Sequence, residues 1–183
     1  MVKRQKILDA AVQLLATNGL HATPMSAIAR AAGTGMGTIY NYFSTKEVLI
    51  NAIYTDIKQQ QEELARNLAT NLSIKEQFDQ YYLSVLDFYL KNPDYYRFMS
   101  QLQGSPIITK ESKLSGEEAV KPVRELFENG QKAGLIKMIN VEELLQFTGG
   151  TLLTFLGWKI NSNNEAATAI ENQLRLVWDA IKS

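Results

Sequence analysis

Residues 23–47 read TPMSAIARAAGTGMGTIYNYFSTKE, a stretch with three glycines in five residues and a helix-start signal at each end. A helix-turn-helix needs a small residue where its two helices cross, a residue that tolerates positive φ in the turn, and an apolar residue on the second helix. Ala29, Gly33 and Ile39 meet these demands in order. The spacing therefore predicts two short helices joined by a tight turn.

Capping signals set the expected ends of the helices around this turn. Thr23 is predicted to be the N-cap of the second helix and Pro24 its first helical residue, and Gly33 is predicted to end that helix. A third helix is expected from about Met36 to Phe43. Ser44 and Glu47 then have the spacing of a capping box that starts a fourth helix. An earlier helix, with apolar residues from Ile7 to Leu15, is expected to stop at Asn18-Gly19.

The exposed side of the third helix suggests contact with DNA. In a helix-turn-helix that reads DNA, the first helix crosses the phosphates and the second enters the major groove. Gly35 and Gly37 would leave room for the DNA backbone, at a cost of up to roughly 1 kcal/mol each in helix stability. For Tyr40 the alternative is packing against the first or fourth helix. The residues expected at the groove are Met36, Gly37, Thr38, Tyr40, Asn41 and Tyr42.

The charge distribution favours the same end of the chain. Residues 1–46 contain five basic residues against Asp9 alone, a net charge of +4, although the whole chain is neutral. The remaining residues therefore carry −4. This asymmetry suggests an anion-binding module on a neutral or acidic body, and the alternative is a set of solvated surface charges.

The residue inventory argues against an enzyme or a metalloprotein. The chain has no Cys and one His, His21, so neither a thiol nucleophile nor a Cys-based zinc site is available. No motif pairs a nucleophile with a base or two acids in a cleft. We therefore expect no cofactor, no metal and no catalytic residues.

The rest of the chain has helical periodicity and no convincing strand, which predicts an all-α fold. Helices are expected at 73–91, around Tyr95 to Met99, and at about 117–133, 141–160 and 165–182, with residues 103–116 as a loop. The longest apolar stretch, near Leu152 to Trp158, is too short to span a bilayer. With no apolar signal segment at the N-terminus, a cytoplasmic protein without membrane contact is expected.

Three sequence blocks together resemble the N-terminal signature of the TetR family of bacterial transcriptional regulators. They are Ile-Ala-x-x-Ala-Gly, Gly-Thr-Ile-Tyr-x-Tyr-Phe and Lys-Glu-x-Leu, which lie between Ile28 and Leu49. The resemblance covers roughly residues 5–55 and implies an all-α homodimer with an N-terminal three-helix DNA-binding head. It also implies a C-terminal domain that binds a small molecule and changes the spacing of two heads.

The resemblance assigns roles to individual residues. Thr23 and Ser26 would contact phosphate through hydroxyl or backbone donors, and Lys46 would do so from the first turn of the fourth helix. The groove-facing residues would include Thr38, Tyr40 and Tyr42. The chain departs from the family pattern at Gly35 and Met36, where relatives commonly have Ser and then Lys or Arg, so a helix cap and a cationic contact are lost.

The expected organisation is a DNA-binding domain at 1–46 and a helical effector-binding and dimerisation domain at 47–183. An aromatic stripe at helical spacing either forms core or partly lines a ligand cavity. Its members, with two residues from a later helix, are Phe78, Tyr82, Val85, Tyr89, Tyr96, Phe98, Met99, Phe147 and Thr151. They favour an effector with little charge, of unknown identity.

A second stripe predicts a dimer interface formed by the last two long helices. Apolar residues alternate at three and four positions from Ala167 to Ile181, and Gly149-Gly150 would permit close approach of backbones. The alternative is that the stripe only closes the chain's own core. The interface residues expected are Leu152, Phe155, Ile170, Leu174, Val177 and Ile181.

The function expected from the residues and the resemblance together is a ligand-responsive regulator. It would be a repressor that binds a palindromic double-stranded DNA operator as a homodimer and is released by a small-molecule effector. The alternative is a constitutive helical scaffold or partner-binding protein without an effector.

Overall fold

A computed structural model describes residues 2–67, 69, 71–162 and 168–183 of the chain. Within these residues there is no β-strand, and Ile136 and Lys182 form one isolated antiparallel bridge. The predicted all-α fold is therefore confirmed. The helices in chain order are α1 Val2–Asn18, α2 Met25–Ala31, α3 Met36–Tyr42, α4 Lys46–Arg66, α5 Ile74–Lys91, α6 Pro93–Gln101, α7 Lys110–Ala119, α8 Lys121–Lys132, α9 Val141–Ser162 and α10 Thr168–Ile181.

The chain divides into two compact units, and the first is larger than the predicted head of residues 1–46. It comprises Met1–Gln59 together with Asn92–Gly116, whereas the second comprises Gln60–Lys91 and Glu117–Ser183. In the first unit α1 packs against both α2 and α6, and α2 packs against α3. The core of this unit includes Ile7, Ala11, Leu15, Ile28, Ile39, Leu49, Ile53, Ile57 and Phe98.

Two carboxamide side chains fasten residues 92–116 to the N-terminal helices. The Gln101 Nε2 group donates to the Leu15 carbonyl oxygen (3.0 Å), and its Oε1 atom accepts from the Leu20 N–H (3.1 Å). Asn51, which is buried in α4, donates from Nδ2 to the Ile107 carbonyl (2.9 Å) and accepts at Oδ1 from the Thr109 N–H (2.9 Å). These bonds satisfy backbone groups near the end of α1 and before α7. Residues 92–116 consequently belong to the same unit as the head.

The loop predicted at 103–116 is only half correct, because α7 begins at Lys110. The Thr109 hydroxyl accepts a hydrogen bond from the Ser112 N–H (3.2 Å), which caps this helix, and Ser112 itself is buried. The helix predicted at 117–133 is likewise divided. Pro122 lacks an N–H and lies in the first turn of α8, so α7 cannot continue through it.

The second unit is built from α5, α8, α9 and α10 with the end of α4. Phe78 is at the centre of an aromatic core, with its ring centroid 5.7 Å from Tyr82, 6.2 Å from Phe127 and 5.3 Å from Trp178. Gly130 in α8 permits close packing, because an added Cβ would lie 2.5 Å from the Ile136 Cδ1 atom. Among the described helices, none has the length and apolar character needed to cross a membrane.

Two glycines four residues apart should respond oppositely to alanine. Gly33 has a φ of +65°, so Gly33→Ala should destabilise the protein by about 1–2 kcal/mol through strain alone, because no atom lies within 4 Å of the added Cβ. Gly37 lies inside α3 with equally open surroundings, so Gly37→Ala should stabilise it by up to about 1 kcal/mol. Urea unfolding followed by circular dichroism measures both. Shifts of the same sign would contradict this account of the turn.

Candidate DNA-binding surface

The α2–α3 pair has the geometry that the spacing predicts. Ala29 is 2% exposed and Ile39 is fully buried, while Gly33 adopts the left-handed conformation between them. The Gly33 N–H donates to the Arg30 carbonyl (3.1 Å), and the Thr34 N–H donates to the Ala29 carbonyl (2.9 Å). These bonds close the turn directly after α2. The predicted helix-turn-helix is thus present.

The outer side of α3 is accessible and uncharged. Met36, Tyr40 and Tyr42 are 39%, 47% and 44% exposed, respectively. Gly37 and Asn41 are also exposed, and Thr38 is half-buried. The exposure of Tyr40 disfavours the alternative that this ring mainly packs against α1 or α4. Six of the seven residues of α3 therefore offer surface to a ligand, and only Ile39 faces the core.

Close approach to this surface is possible at two glycines. Apart from adjacent residues and the local helix backbone, no atom would lie within 4 Å of a Cβ added at Gly35 or Gly37, so the space beside both residues is open. Gly35 is the N-cap of α3 and makes no side-chain cap. A large ligand such as DNA can therefore reach the backbone of the first turn of α3.

Thr23 is not where the sequence places it, because its hydroxyl is inside the first unit. Only 1% of the residue is exposed, and Oγ1 donates to the carbonyls of Gly19 (3.0 Å) and Leu14 (3.3 Å). The N-cap of α2 is Pro24, which has no side-chain cap. A phosphate contact through the Thr23 hydroxyl is therefore excluded in this conformation, whereas Ser26 is exposed on the first turn of α2.

Lys46 is held at the start of α4 by the loop that precedes α2. Its Nζ atom donates to the carbonyls of His21 (3.2 Å) and Thr23 (3.1 Å). An ammonium group has three N–H donors, so one remains for another acceptor. The side chain is half-buried, and its charge is next to the N-terminus of a 21-residue helix. Both features suit an anion.

The cap of α4 lies one residue later than the predicted Ser44–Glu47 box. The Thr45 hydroxyl accepts from the Val48 N–H (3.2 Å), so Thr45 is the capping residue. The exposed Glu47 carboxyl accepts a hydrogen bond from the Glu47 backbone N–H, which lowers its pKa, and a hydrogen bond from the Thr45 hydroxyl lowers this pKa further. Glu47 is therefore ionised at neutral pH.

One cation of the basic N-terminal segment lies near the end of α3, where the sequence did not place it. The Arg4 guanidinium lies over the Phe43 ring, 5.7 Å from its centroid, and Phe43 directly follows α3. An aromatic face attracts a guanidinium and restrains it. The charge excess of residues 1–46 was visible in the sequence, but this pairing across about forty residues was not.

The predicted ligand residues divide between the two units. Tyr96, Phe98 and Met99 belong to the first unit, where Phe98 is fully buried. The other six belong to the second unit, and the four from α5, which are Phe78, Tyr82, Val85 and Tyr89, are all buried.

The hydroxyls of the two buried tyrosines of the stripe, Tyr82 and Tyr89, accept hydrogen bonds within the second unit. Gln173 donates to the Tyr82 hydroxyl (3.0 Å), and Gln61 donates to that of Tyr89 (2.7 Å). Burial raises the pKa of Tyr82, and it raises the pKa of neighbouring Tyr81 to about 12. Both phenols are therefore neutral hydrogen-bonding groups at pH 7. The buried aromatic rings fit the core interpretation of the stripe.

A groove of about 650 Å³ lies on the second unit, along α9 and beside Gln173 of α10. Two predicted ligand residues, Phe147 and Thr151, line it together with Phe155, which was predicted for the dimer interface. Trp158 also lines the groove and is 43% exposed.

The predicted dimer stripe is mostly buried in a single protomer. Leu152, Phe155, Val177 and Ile181 are at most 9% exposed, whereas Ile170 and Leu174 are half-buried. Four of the six side chains therefore fill the protomer's own core, as the alternative interpretation states. Ala167 lies outside the described residues. The large exposed apolar residues of α9 and α10, which the three-four spacing did not select, are Phe147, Trp158 and Leu176.

Two family models match the chain. Residues 7–53 match the bacterial regulatory proteins of the tetR family, and residues 73–182 match the tetracyclin repressor-like C-terminal domain. Helix-turn-helix geometry and an all-α body define the class of the protein as a helical DNA-binding regulator. The chain belongs to the TetR family of bacterial transcriptional regulators, which are not enzymes.

Individual relatives agree with this assignment. The fatty acid metabolism regulator protein of Bacillus subtilis (strain 168) is 39% identical over 75 residues, covering 40% of this chain and 39% of that protein. UidR of Escherichia coli (strain K12) is 40% identical over 63 residues, covering 34% and 31%. The chain thus matches less than half the length of these curated relatives. A TetR-family crystal structure from Marinobacter aquaeolei VT8 has the same fold, with a TM-score of 0.89 at 24% identity and coverage of 100% and 96%.

Proposed function

We propose that the protein is a ligand-responsive repressor that binds a palindromic operator as a homodimer in the cytoplasm. The observation that carries the proposal is the accessible outer side of α3 on a helix-turn-helix within the basic part of the chain. Two such helices related by two-fold symmetry would enter successive major grooves about 34–36 Å apart. Competition with RNA polymerase for promoter DNA would then repress transcription.

The proposed DNA contacts fall into two groups. Ser26 and Lys46 contact phosphates, which fix the position of the protein without reading sequence. The exposed residues of α3 contact base edges and sugars. Thr23 contributes at most its backbone to DNA binding, because its hydroxyl is used inside the first unit.

Dimerisation is proposed through the outer faces of α9 and α10. Phe147, Trp158 and Leu176 are 43%, 43% and 64% exposed, and Gly149 and Gly150 leave open space for a second helix. Burial of such apolar surface between two copies would favour a dimer by about 25 cal/mol per Å², and the lost freedom of the two protomers opposes it. The half-buried Ile170 and Leu174 would extend this surface.

The proposed switch uses α4 as a lever. This helix starts in the first unit at Lys46 and ends at Arg66 in the second. Leu64 is part of its far end, and Leu68, also expected there, lies outside the described residues. An effector that moves this end would change the separation of the two α3 helices. To lower operator affinity tenfold, it must bind the released state about 1.4 kcal/mol better than the DNA-bound state.

The proposed effector carries little charge and has aromatic or aliphatic groups, because the groove along α9 offers the rings of Phe147 and Phe155 and the hydroxyl of Thr151. The alternative is a constitutive scaffold that binds no effector. Fluorescence anisotropy with random duplex DNA over a salt series separates a DNA-binding regulator, whose affinity falls with salt, from a scaffold.

A ligand that raises the melting temperature of the protein yet leaves operator affinity unchanged at saturation would contradict the lever role of α4 for that ligand.

Replacement of Lys46 should weaken binding to all DNA sequences alike. Lys46→Gln removes one phosphate contact, so the slope of log affinity against log salt should fall by about one per protomer. Lys132→Gln, at an exposed lysine of the second unit, is the matched control and should leave the slope unchanged. Thr38→Ala and Tyr42→Ala should instead change which operators are preferred. A change of base preference in Lys46→Gln with an unaltered salt slope would mean that these roles are reversed.

Charge on the outer face of α9 should prevent dimerisation. Trp158→Asp places a carboxylate on the proposed interface and should give a monomer by analytical ultracentrifugation at micromolar concentration. Leu83→Asp changes a comparably exposed leucine on α5, and this variant should remain dimeric. A monomeric wild-type protein, or dissociation of both variants alike, would contradict an interface on this face.

A further inference from the structure

The outer side of α3 is suited to particular base pairs. We propose that the operator half-site presents A·T base pairs to this helix, so that the protein recognises an A·T-rich core. This inference rests on the proposed function. The observation that supports it is the set of exposed side chains on the seven-residue helix α3, MGTIYNY. This set includes one carboxamide, three large apolar groups and no charged group.

Guanine and adenine make different demands in the major groove. Guanine offers two acceptors, N7 and O6, which Arg or Lys satisfies with two donors, and this is the commonest specific contact. Adenine offers an acceptor beside a donor, which a carboxamide matches with its own donor and acceptor. Thymine adds a methyl group that favours apolar contact. Helix α3 has no Arg or Lys, but it has a carboxamide and several apolar groups.

Asn41 is positioned to read adenine. It lies on the exposed face, and its amide makes no hydrogen bond to the described part of the chain. A side chain this short reaches base edges only if the helix backbone enters the groove closely. Gly37 permits that approach, because it precedes Asn41 by one turn and has no atom within 4 Å of its missing Cβ. The glycine and the short amide therefore act together.

The three large side chains provide the thymine contacts. Met36, Tyr40 and Tyr42 are each about two-fifths to one-half exposed, so the accessible side of this short helix presents three large side chains. Contact with thymine methyls would remove part of this surface from water. Cytosine has no methyl at the same position, so apolar packing discriminates between the two pyrimidines. Thr38 can add either its methyl or its hydroxyl.

The neighbouring cations belong to other elements. Arg30 is in the last turn of α2, the helix that crosses the DNA backbone in this motif. Lys46 donates to two carbonyls, and Arg4 lies over Phe43. Contacts from these positions to phosphates raise affinity for every sequence, so they leave the base preference of α3 unchanged.

Selection from a random duplex pool with the full-length protein tests the proposal. The enriched half-site should contain A·T pairs at the protected major-groove positions. Within it, 7-deazaadenine at the base read by Asn41 should weaken binding at least fivefold, as expected for loss of a bidentate contact. Uracil in place of a contacted thymine should weaken binding about fourfold, the value of one buried methyl group.

A charge introduced on α3 provides the converse test. Met36→Arg supplies the missing guanidinium, so selection with this variant should shift a contacted position towards G·C. Gln13→Arg adds the same charge at an exposed position of α1 and should raise affinity without changing the selected sequence. Circular dichroism melting of both variants checks that each is folded.

The outcomes separate this inference from the function on which it depends. A wild-type half-site whose contacted positions are G·C, weakened by 7-deazaguanine, would overturn the inference, as would salt-dependent binding without base preference. In both cases the protein would still be a DNA-binding regulator. Absence of salt-dependent binding to any duplex would overturn the proposed function itself.

Discussion

The turn at Gly33 is the constraint on which the DNA-binding surface depends. A φ of +65° at this single residue turns the chain between α2 and α3, and a residue with an L side chain would be strained there. Because Ile39 and Ala29 are both buried in the core of the first unit, the opposite side of α3 faces solvent. The arrangement of groups offered to DNA therefore follows from one backbone conformation and from the burial of these two side chains.

Long-range hydrogen bonds from side chains to backbone hold the helices around this turn. Gln101 fastens α6 to the end of α1, Asn51 fastens α4 to residues 107–109, and Lys46 fastens the start of α4 to the loop before α2. These bonds reach backbone groups at helix ends and in loops, where few or no helical partners are available, although the Leu15 carbonyl also accepts from the Gly19 N–H. The support of the DNA-binding surface is thus partly polar and includes residues remote in sequence.

The local features of the fold were predictable from the sequence, and the long-range features were not. The Ala29, Gly33 and Ile39 spacing identified the helix-turn-helix because each demand is met within a few residues. The Thr23 hydroxyl was misplaced, since its partners on Gly19 and Leu14 compete with a cap on α2. Periodicity likewise could not reveal that residues 92–116 pack with the N-terminal helices. In α9 and α10 it selected the buried stripe and missed exposed Trp158 and Leu176.

Disulfide trapping in the DNA major groove tests the central claim most directly. The chain has no cysteine, so Asn41→Cys introduces the only thiol, and a duplex with a thiol tethered to adenine N6 places its partner in the major groove. The account predicts rapid, salt-sensitive crosslinking at this position and none for Lys132→Cys on the second unit. Equal crosslinking of both variants, or no disulfide between Cys at position 41 and the tethered thiol, would contradict insertion of α3 into the groove.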